Sequence, residues 1–310
     1  MTELSAAKTA TFRIASDAAL EVAQAIKSRM GKRDHAPVRV AFIGSNDSVR
    51  TEGDVPPMAK ILRGGRGGEV RLKLELSFLW FAVNPPHDLA YPARVWALLL
   101  DLDDTEGRGT RRVRQAIAAL ADAKLIEVLG RSGQPNRITL LDEGGNGVAY
   151  RLPGDAYNKA RGTGEEWRHR YIQIPDTLWT NGWIATLSGA ALAMLLVLFS
   201  ELGQKDAAKT DIWFSPSRAQ KIYGLSEDTR SKGLRELRAA ELITARKRAV
   251  SRDVLDFRRL RNTYRLELDK LNEQAIVLVG TNPPRPLTPR QVESEKFLSM
   301  LPDSLQPKRT

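Results

Sequence analysis

The sequence predicts a mostly α protein with small β elements (α+β), in which three helices followed by a β-hairpin occur twice. Three observations predict this fold class. The stretch from Ser226 to Leu268 begins with a polar turn, continues as a short helix with Leu234 and Leu237 on one side, and ends in two basic strand-like runs. A weaker copy of this stretch runs from Gly107 to Leu141. Two further helices are predicted before each copy.

The composition describes a globular protein of two ordinary domains with additional segments at both ends. The chain has 310 residues, of which 42% are hydrophobic and 27% charged. It contains no cysteine, which excludes disulfides, cysteine-ligated zinc and thiol nucleophiles. The first twenty residues lack a hydrophobic signal core. The most apolar run, Gly189–Phe199, is far shorter than the roughly 20 residues of a membrane span. We therefore expect a buried core helix there, no membrane partner, and a cytoplasmic, nucleoid-associated protein.

The net charge of +11 and the sequence pI of about 9.9 indicate a polyanionic partner, nucleic acid first and an anionic membrane surface second. The positive charge is concentrated in two places. Residues 229–265 hold twelve basic and four acidic side chains, and residues 107–137 hold seven basic and two acidic ones. The rest of the chain is close to neutral, so the two predicted hairpin regions carry the basic character.

Residues 1–66 are predicted to form an N-terminal segment that ends in a glycine-rich hinge. Ser16 can cap a helix, and the run from Pro37 to Ile43 alternates like a half-buried strand. The stretch Arg63–Gly68 is either a phosphate-contacting loop or a flexible connector. We favour the connector, because no Gly-Lys-Ser/Thr follows as a nucleotide-binding loop requires.

The first unit is predicted to span residues 67–153. Its helices are expected in the runs RLKLELSFLWFAV, PARVWALLLDL and TRRVRQAIAALADAKL, with Pro85–Pro86 ending the first of them. Ile126–Leu129 and Arg137–Leu141 are expected to pair as strands around a turn-rich loop. A short strand at Val148–Leu152 is expected to close the unit.

A linker is predicted at residues 154–170, and the second unit is predicted to span residues 171–270. It opens with a strand at Tyr171–Pro175, and Trp179 and Trp183 are expected in the core. Its three helices are expected to start at Ser188, Ser215 and Ser226. Residues 271–310 form a C-terminal tail, in which QVESEKFLSML is expected to be a short helix that either docks or remains loosely held.

The two units match each other at an offset of 117 residues. In each unit a glycine precedes the third helix, two apolar residues three positions apart face the core, and a Leu-Ile pair starts the hairpin. The matched positions are Gly107 and Gly224, Ile117 and Leu234, Leu120 and Leu237, Ala123 and Ala240, and Leu125–Ile126 and Leu242–Ile243.

The stretch from Gly224 to Ile243 reads GLSEDTRSKGLRELRAAELI. Its Ser-x-x-Thr start, its Leu-x-x-Leu step and its closing Leu-Ile pair resemble the recognition-helix pattern of winged-helix DNA-binding proteins. This resemblance implies two tandem winged helix-turn-helix domains, in which the third helix enters the DNA major groove. More loosely, two such units in one basic chain are similar to plasmid replication initiators and to actinobacterial mobile-element proteins.

Residues that would contact DNA follow from the helical period and from the basic hairpins. With Leu234 and Leu237 buried, the exposed side of the third helix can reach base edges, and the hairpins can reach phosphates. Arg230 is ambiguous, because its counterpart in the first unit is the apolar Val113. The predicted contacts are Arg108, Thr110, Arg111, Arg114, Gln115, Arg131 and Arg137 in the first unit, and Asp228, Ser231, Lys232, Arg235, Arg246, Lys247, Arg248, Arg252, Arg258 and Arg259 in the second.

No catalytic motif accompanies these basic regions. The three histidines are widely separated, and the sequence has no His-x-His pair, phosphate-binding loop or nucleophile elbow. The acidic run Asp101–Glu106 could hold Mg²⁺, but a solvated turn before a helix is the favoured interpretation. We expect no enzyme, no cofactor and no metal.

The leading functional hypothesis is a sequence-specific double-stranded DNA-binding protein for replication initiation or maintenance of a plasmid or mobile element. One alternative is a transcriptional regulator, and another is a protein-interaction module built on winged helices. Expected partners are double-stranded DNA and either a second copy of the chain or the replication or transcription machinery.

Overall fold

The computed structural model describes residues 11–45, 55–63, 67–82, 84–130, 133–249 and 260–279. Over these residues the protein is α+β, with many helices and small antiparallel sheets of two or three strands. In this part of the chain, no helix has the length and apolar character that crossing a membrane requires. The predicted fold class is therefore confirmed as an α+β arrangement with small antiparallel sheets.

The N-terminal segment contains the predicted capped helix, in which Ser16 Oγ accepts a hydrogen bond from the backbone N–H of Ala19 (3.3 Å). The strand predicted to continue to Ile43 instead ends at Arg39. The last four residues form a helical turn, in which the adjacent side chains of Phe42 and Ile43 are both buried. A strand would send neighbouring side chains to opposite faces. The elements are β1 (Thr11–Ile14), α1 (Asp17–Lys27), β2 (His35–Arg39), α2 (Val40–Ile43) and α3 (Pro57–Leu62).

The glycine-rich stretch leads directly into the first helix of the first unit, α4 (Gly67–Phe81). Residues 64–66 lie outside the described residues. A Cβ on Gly68 would lie 2.2 Å from the carbonyl oxygen of Leu62, so α3 and α4 approach too closely for a side chain at this position. Gly68 therefore has a packing role where the two helices meet.

The first unit contains the predicted helices and hairpin, together with a short strand that was not predicted. This strand pairs with the second hairpin strand, which gives a three-stranded sheet in the order β3-β5-β4. The strand expected at Val148–Leu152 is reduced to one bridge between Leu141 and Ala149. The elements after α4 are β3 (Asp88–Leu89), α5 (Ala93–Leu99), α6 (Arg108–Asp122), β4 (Ile126–Leu129) and β5 (Arg137–Leu140).

The residues predicted as a linker contain two short helices, α7 (Pro153–Ala160) and α8 (Glu166–His169). Helix α7 packs against β2, and α8 packs against α2, so this segment lies on the body of the protein. The predicted entry strand of the second unit also joins this body, because it pairs with β2. The next elements are β6 (Tyr171–Pro175), α9 (Thr177–Thr180) and α10 (Trp183–Thr186).

The second unit repeats the arrangement of the first. Its three helices have the predicted serine caps, and Ile212 forms a bridge with Tyr264 in the second hairpin strand, where β3 lies in the first unit. The tail returns to pair with β1, and the predicted helix at 291–301 lies outside the described residues. The elements are α11 (Gly189–Leu202), α12 (Pro216–Tyr223), α13 (Glu227–Ala239), β7 (Ile243–Ala249), β8 (Leu260–Leu266) and β9 (Ile276–Val279).

The offset of 117 residues is retained in the backbone where the third helix ends. Lys124 and Glu241 are both left-handed, with φ of 56° and 59°. In each unit the next residue, Leu125 or Leu242, donates its N–H to the carbonyl oxygen five residues earlier, which closes the helix in the same way. The second helices of the two units, α5 and α12, do not match at this offset, because α12 begins later in the chain than the start of α5 shifted by 117 residues.

Helix α4 forms the shared core of the two units. It is apolar around most of its circumference and packs against α6 on one side and α11 on another. Trp80 stacks on Trp179 with a centroid distance of 4.7 Å, and the Trp179 indole N–H donates to Ser77 Oγ (3.1 Å). The buried Lys73 ammonium donates to the carbonyl oxygen of Ala185 (2.9 Å). One hydrophobic core therefore extends across both units.

A fully buried ion pair joins the N-terminal segment to the first unit. Arg39 is 1% exposed, and its guanidinium pairs with the carboxylate of Glu143, which has no exposure. The backbone N–H of Arg39 also donates to Glu143 Oε1 (3.0 Å), and its Nη2 donates to the carbonyl oxygen of Arg151 (2.6 Å). Burial raises the pKa of Glu143 to about 7, against the opposing effect of Arg39.

A second carboxyl group, Glu75, is buried near this pair. Neither of its oxygens has a hydrogen-bond partner among the described residues. Burial, and next the charge of Glu143, raise the pKa of Glu75 well above its ordinary value. Glu75 therefore keeps its proton to a higher pH than an exposed glutamate.

Glu75 is expected to make the protein less stable as pH rises. Because the folded-state pKa of Glu75 is raised, its protonated form makes a favourable contribution to the free energy of unfolding. This contribution is fully present below a pH of about 4.3, the ordinary pKa of glutamate, and is lost as pH rises through the folded-state pKa. Glu75→Gln, which has no carboxyl group to ionise, should be the more stable chain at pH 8 by at least about 1 kcal/mol. Urea unfolding of both chains across this pH range measures the difference, and parallel pH profiles would contradict it.

Candidate nucleic-acid interface

Helix α6 presents a basic surface in the first unit. Its buried side is formed by small and apolar residues, among them Val113, Ala116 and Leu120, at helical spacing. On the opposite side, Arg111, Arg112 and Arg114 have no ion-pair partner among the described residues. Arg112 was not predicted as a DNA contact. The exposed polar side chains are Arg108, Arg111, Arg112, Arg114 and Gln115.

Thr110 is not part of this exposed surface, so the prediction that placed it there is wrong. The residue is 6% exposed, and its hydroxyl donates to the carbonyl oxygen of Thr105. Thr110 lies three residues before Val113, and side chains at this spacing share one face of a helix. It therefore belongs to the buried side of α6.

The acidic run before α6 has structural partners. Asp104 accepts hydrogen bonds from the backbone N–H groups of Arg108 (2.9 Å) and Gly107 (3.0 Å), and these donors lower the pKa of Asp104. Asp101 accepts from the hydroxyl of Ser16 (2.6 Å), the residue that caps α1. The described residues contain no group of three or more histidines or carboxylates able to hold a metal ion.

The first hairpin carries less available charge than α6. Arg137 is partly exposed and pairs with Asp88 at 3.0 Å. Arg131, the other predicted contact in this hairpin, lies outside the described residues. Within the described part of the first unit, the basic surface is therefore mainly that of α6.

Helix α13 exposes the side predicted to reach DNA bases. Asp228, Ser231, Lys232 and Arg235 are all exposed. Lys232 pairs with Asp228 one turn earlier (2.8 Å), whereas Arg235 has no ion-pair partner among the described residues. Arg230 is buried, like its counterpart Val113, and its guanidinium donates to the carbonyl oxygen of Pro216 (2.9 Å).

The second hairpin has two chemically different faces. Ile243 lies opposite Leu266 on the face that packs on the core, and because side chains alternate along strands, Lys247 also belongs to this face. The other face carries four arginines and is called the arginine face below. It consists of Arg246, Arg248, Arg261 and Arg265.

The sequence prediction identified only part of the arginine face. It included Arg246 and Arg248 but not Arg261 and Arg265. The alternation in 260–266 marks a strand, but only the pairing register shows which arginines share a face. Arg252, Arg258 and Arg259 lie between the two strands and outside the described residues.

The arginine face has an excess of positive charge. Arg248 and Arg261 lie directly opposite each other, and like charges in this arrangement destabilise a strand pair. Asp211 offsets part of this repulsion, because it accepts from Arg265 (2.8 Å) and pairs with Arg248. Glu267, which accepts a hydrogen bond from Thr244 on the same side of the hairpin (2.8 Å), is a second carboxylate beside this face. Four guanidinium groups against two carboxylates still leave a surface whose electrostatics favour an anionic partner.

Comparison of this chain with protein-family models, with curated proteins and with solved structures finds no match. The chemistry of the surface residues is therefore the basis for a functional conclusion.

Proposed function

We propose that this chain is a sequence-specific double-stranded DNA-binding protein with two tandem winged helix-turn-helix units. We further propose that it acts in replication initiation or maintenance of a plasmid or mobile element. The single observation that carries the proposal is the combination, in the second unit, of an exposed polar helix face on α13 with the arginine face of the hairpin that follows. The proposal includes no enzymatic activity, cofactor or metal.

The order and pairing of elements support the winged-helix assignment. In both units three helices precede a hairpin, and residues between the first two helices pair with the second hairpin strand. In helix-turn-helix proteins the last helix of such a set lies in the major groove. The hairpin that follows then lies close to the DNA backbone.

The exposed residues of α13 have the chemistry that base recognition requires. An arginine can form two hydrogen bonds to guanine, and serine and lysine can also donate to base edges. Arg235 is exposed and has no ion-pair partner among the described residues, so no such pair must break before it contacts a base. The arginine face and the arginines of α6 would contact phosphates, which contribute affinity without sequence preference.

Transcriptional regulation is a second candidate function, and a groove beside α13 favours it. The groove has a volume of about 810 Å³, within the range of small-molecule sites. Val55, Ala59 and Leu62 line one side, and Ser226 and Thr229 at the start of α13 line the other. A ligand bound there would touch the proposed recognition helix.

The arrangement of binding sites on DNA distinguishes the two candidate functions. Repeated binding sites beside the protein's own gene would favour replication, and a single promoter operator would favour regulation.

A gel-shift with genomic DNA fragments tests the proposal. The chain should retain specific fragments, and its affinity should fall with salt with a log–log slope of about −0.9 for each phosphate contacted. No binding at low salt would contradict DNA binding and would favour a protein-interaction module.

Lys232→Ala combined with Arg235→Ala is expected to remove sequence preference and to leave weak non-specific binding. These side chains would contact bases, whereas the arginine face would still contact phosphates. The ratio of affinities for a specific fragment and for random DNA should fall about tenfold or more.

The matched control is Arg29→Ala combined with Lys32→Ala, which removes two exposed positive charges from the N-terminal segment. Its affinity ratio should equal that of the unmodified chain. Equal losses on specific and random DNA in the α13 variant would instead mean that Lys232 and Arg235 contact only phosphates.

A further inference from the structure

Trp213 differs from the other five tryptophans of the chain because it is exposed. Its relative exposure is 44%, whereas the others are buried or partly buried. The guanidinium of Arg261 lies over its ring, 4.5 Å from the centroid. An exposed indole covered by a cation, beside a hairpin rich in arginine, has no evident role in the core.

Strand pairing places this pair on the arginine face. Ile212 lies opposite Tyr264, whose side chain belongs to the core face of the hairpin. Because side chains alternate along a strand, Asp211 and Trp213, the two neighbours of Ile212, belong to the arginine face. The contacts agree with this, since Arg265 donates a hydrogen bond to Asp211 (2.8 Å) and the Arg261 guanidinium lies over the ring of Trp213. The arginine face thus extends to the residues just before α12.

Arg261 is held in place but is not neutralised. Arg248 and Arg265 both pair with Asp211, whereas Arg261 has no carboxylate partner among the described residues. Its Nε has no hydrogen-bond partner among them either. Stacking on an indole orders a guanidinium and leaves its terminal N–H groups free for an anion. The ordering lowers the entropy lost when the anion binds.

We propose that Trp213 and Arg261 form a phosphate-binding site for the backbone of duplex DNA, at the edge of the second hairpin. The site takes a phosphodiester group on the Arg261 guanidinium, and the exposed indole packs against the adjoining sugar. A polymer of phosphates fits better than a single anion, because Arg246, Arg248 and Arg265 continue the positive surface across the sheet. This inference rests on the proposed DNA-binding function.

Binding to a short labelled duplex, cut from a genomic fragment that the unmodified chain retains, tests the site. Arg261→Ala should weaken binding about tenfold and reduce the log–log salt slope by about 0.9, because one phosphate contact is lost. Trp213→Leu removes no charge, so it should weaken binding about threefold with little change in slope. DNA should also protect Trp213 from quenching by acrylamide, a neutral quencher.

Arg168→Ala is the matched control, because Arg168 also stacks on a tryptophan, Trp167 (4.9 Å), but is paired with Glu165. This variant should bind like the unmodified chain. Arg261→Gln replaces Arg261→Ala if the alanine variant does not unfold cooperatively. Unchanged affinity and slope in the Arg261 variants, or an equal loss in Arg168→Ala, would overturn the site and leave DNA binding intact. Failure of the unmodified chain to bind any fragment would overturn both.

Discussion

Gly233→Val is expected to destabilise the protein by about 3 kcal/mol, because α13 and α11 are in contact at this glycine. A Cβ at Gly233 would lie 2.3 Å from the backbone oxygen of Ala190 and 2.7 Å from Met194 Cγ. The backbone oxygen cannot rotate away as a side chain can, so the two helices would have to separate. Valine adds two methyl groups to the same space, and Gly233→Ala should have a smaller effect in the same direction.

Urea unfolding of Gly233→Val measures this loss, and Gly130→Ala is its control. Gly130 directly follows β4, and apart from its chain neighbours no atom of the described residues lies within 4 Å of a Cβ placed on it. Ala116, 117 residues before Gly233, shows that the first unit accepts a Cβ at the equivalent position. Unfolding of Gly233→Val at the same denaturant concentration as the unmodified chain would show that the helices separate without cost.

Arg39→Met is expected to destabilise the protein by about 3–5 kcal/mol at pH 8, because it leaves a buried carboxylate without its partner. Glu143 has no exposure, and two contacts join it to Arg39. Without Arg39 the pKa of Glu143 should rise further. The loss should therefore be smaller at pH 5, where Glu143 is protonated, than at pH 8.

Arg39→Met combined with Glu143→Gln separates the charge effect from lost packing. Removing both charges should recover much of the stability, since replacing a buried pair is less harmful than breaking it. Thermal unfolding of the unmodified chain, of Arg39→Met and of the double variant at both pH values gives the comparison. A double variant as unstable at pH 8 as Arg39→Met alone would mean that Arg39 acts through its ion pair with Asp142 (3.4 Å), its contact with Arg151 or its packing.

Local signals predicted the three helices of each unit well, but not the short helices outside them. Ser188, Ser215 and Ser226 each precede an apolar pattern and accept the hydrogen bond that starts the helix, so only nearby residues determine these positions. Helices α6 and α13 also end in the same way, at Lys124 and Glu241, and this similarity follows from the matched positions of the residues around each helix end. The bridge at Ile212 and the strand β3 were missed, because both depend on partners many residues away.

The same distinction applies to the candidate interface. The exposed side of α13 follows from the helical period and two leucines. By contrast, Thr110 was wrongly predicted to be exposed. Its hydroxyl donates a hydrogen bond to a backbone carbonyl oxygen just before α6, so this polar side chain can be buried. Arg261 and Trp213 were missed because their contact requires the register of the hairpin and its bridge to Ile212. The residue pattern of the strands does not give that register.

The position of α4 between the two units has a consequence for dissecting the protein. A fragment with only the first unit would expose one face of Trp80 and the ammonium of Lys73 to water, and a fragment with only the second unit would expose Trp179. Neither half therefore contains a complete interior of its own, and the described residues should melt as one cooperative folding unit. A weakened contact in either half then lowers the thermodynamic stability of the whole.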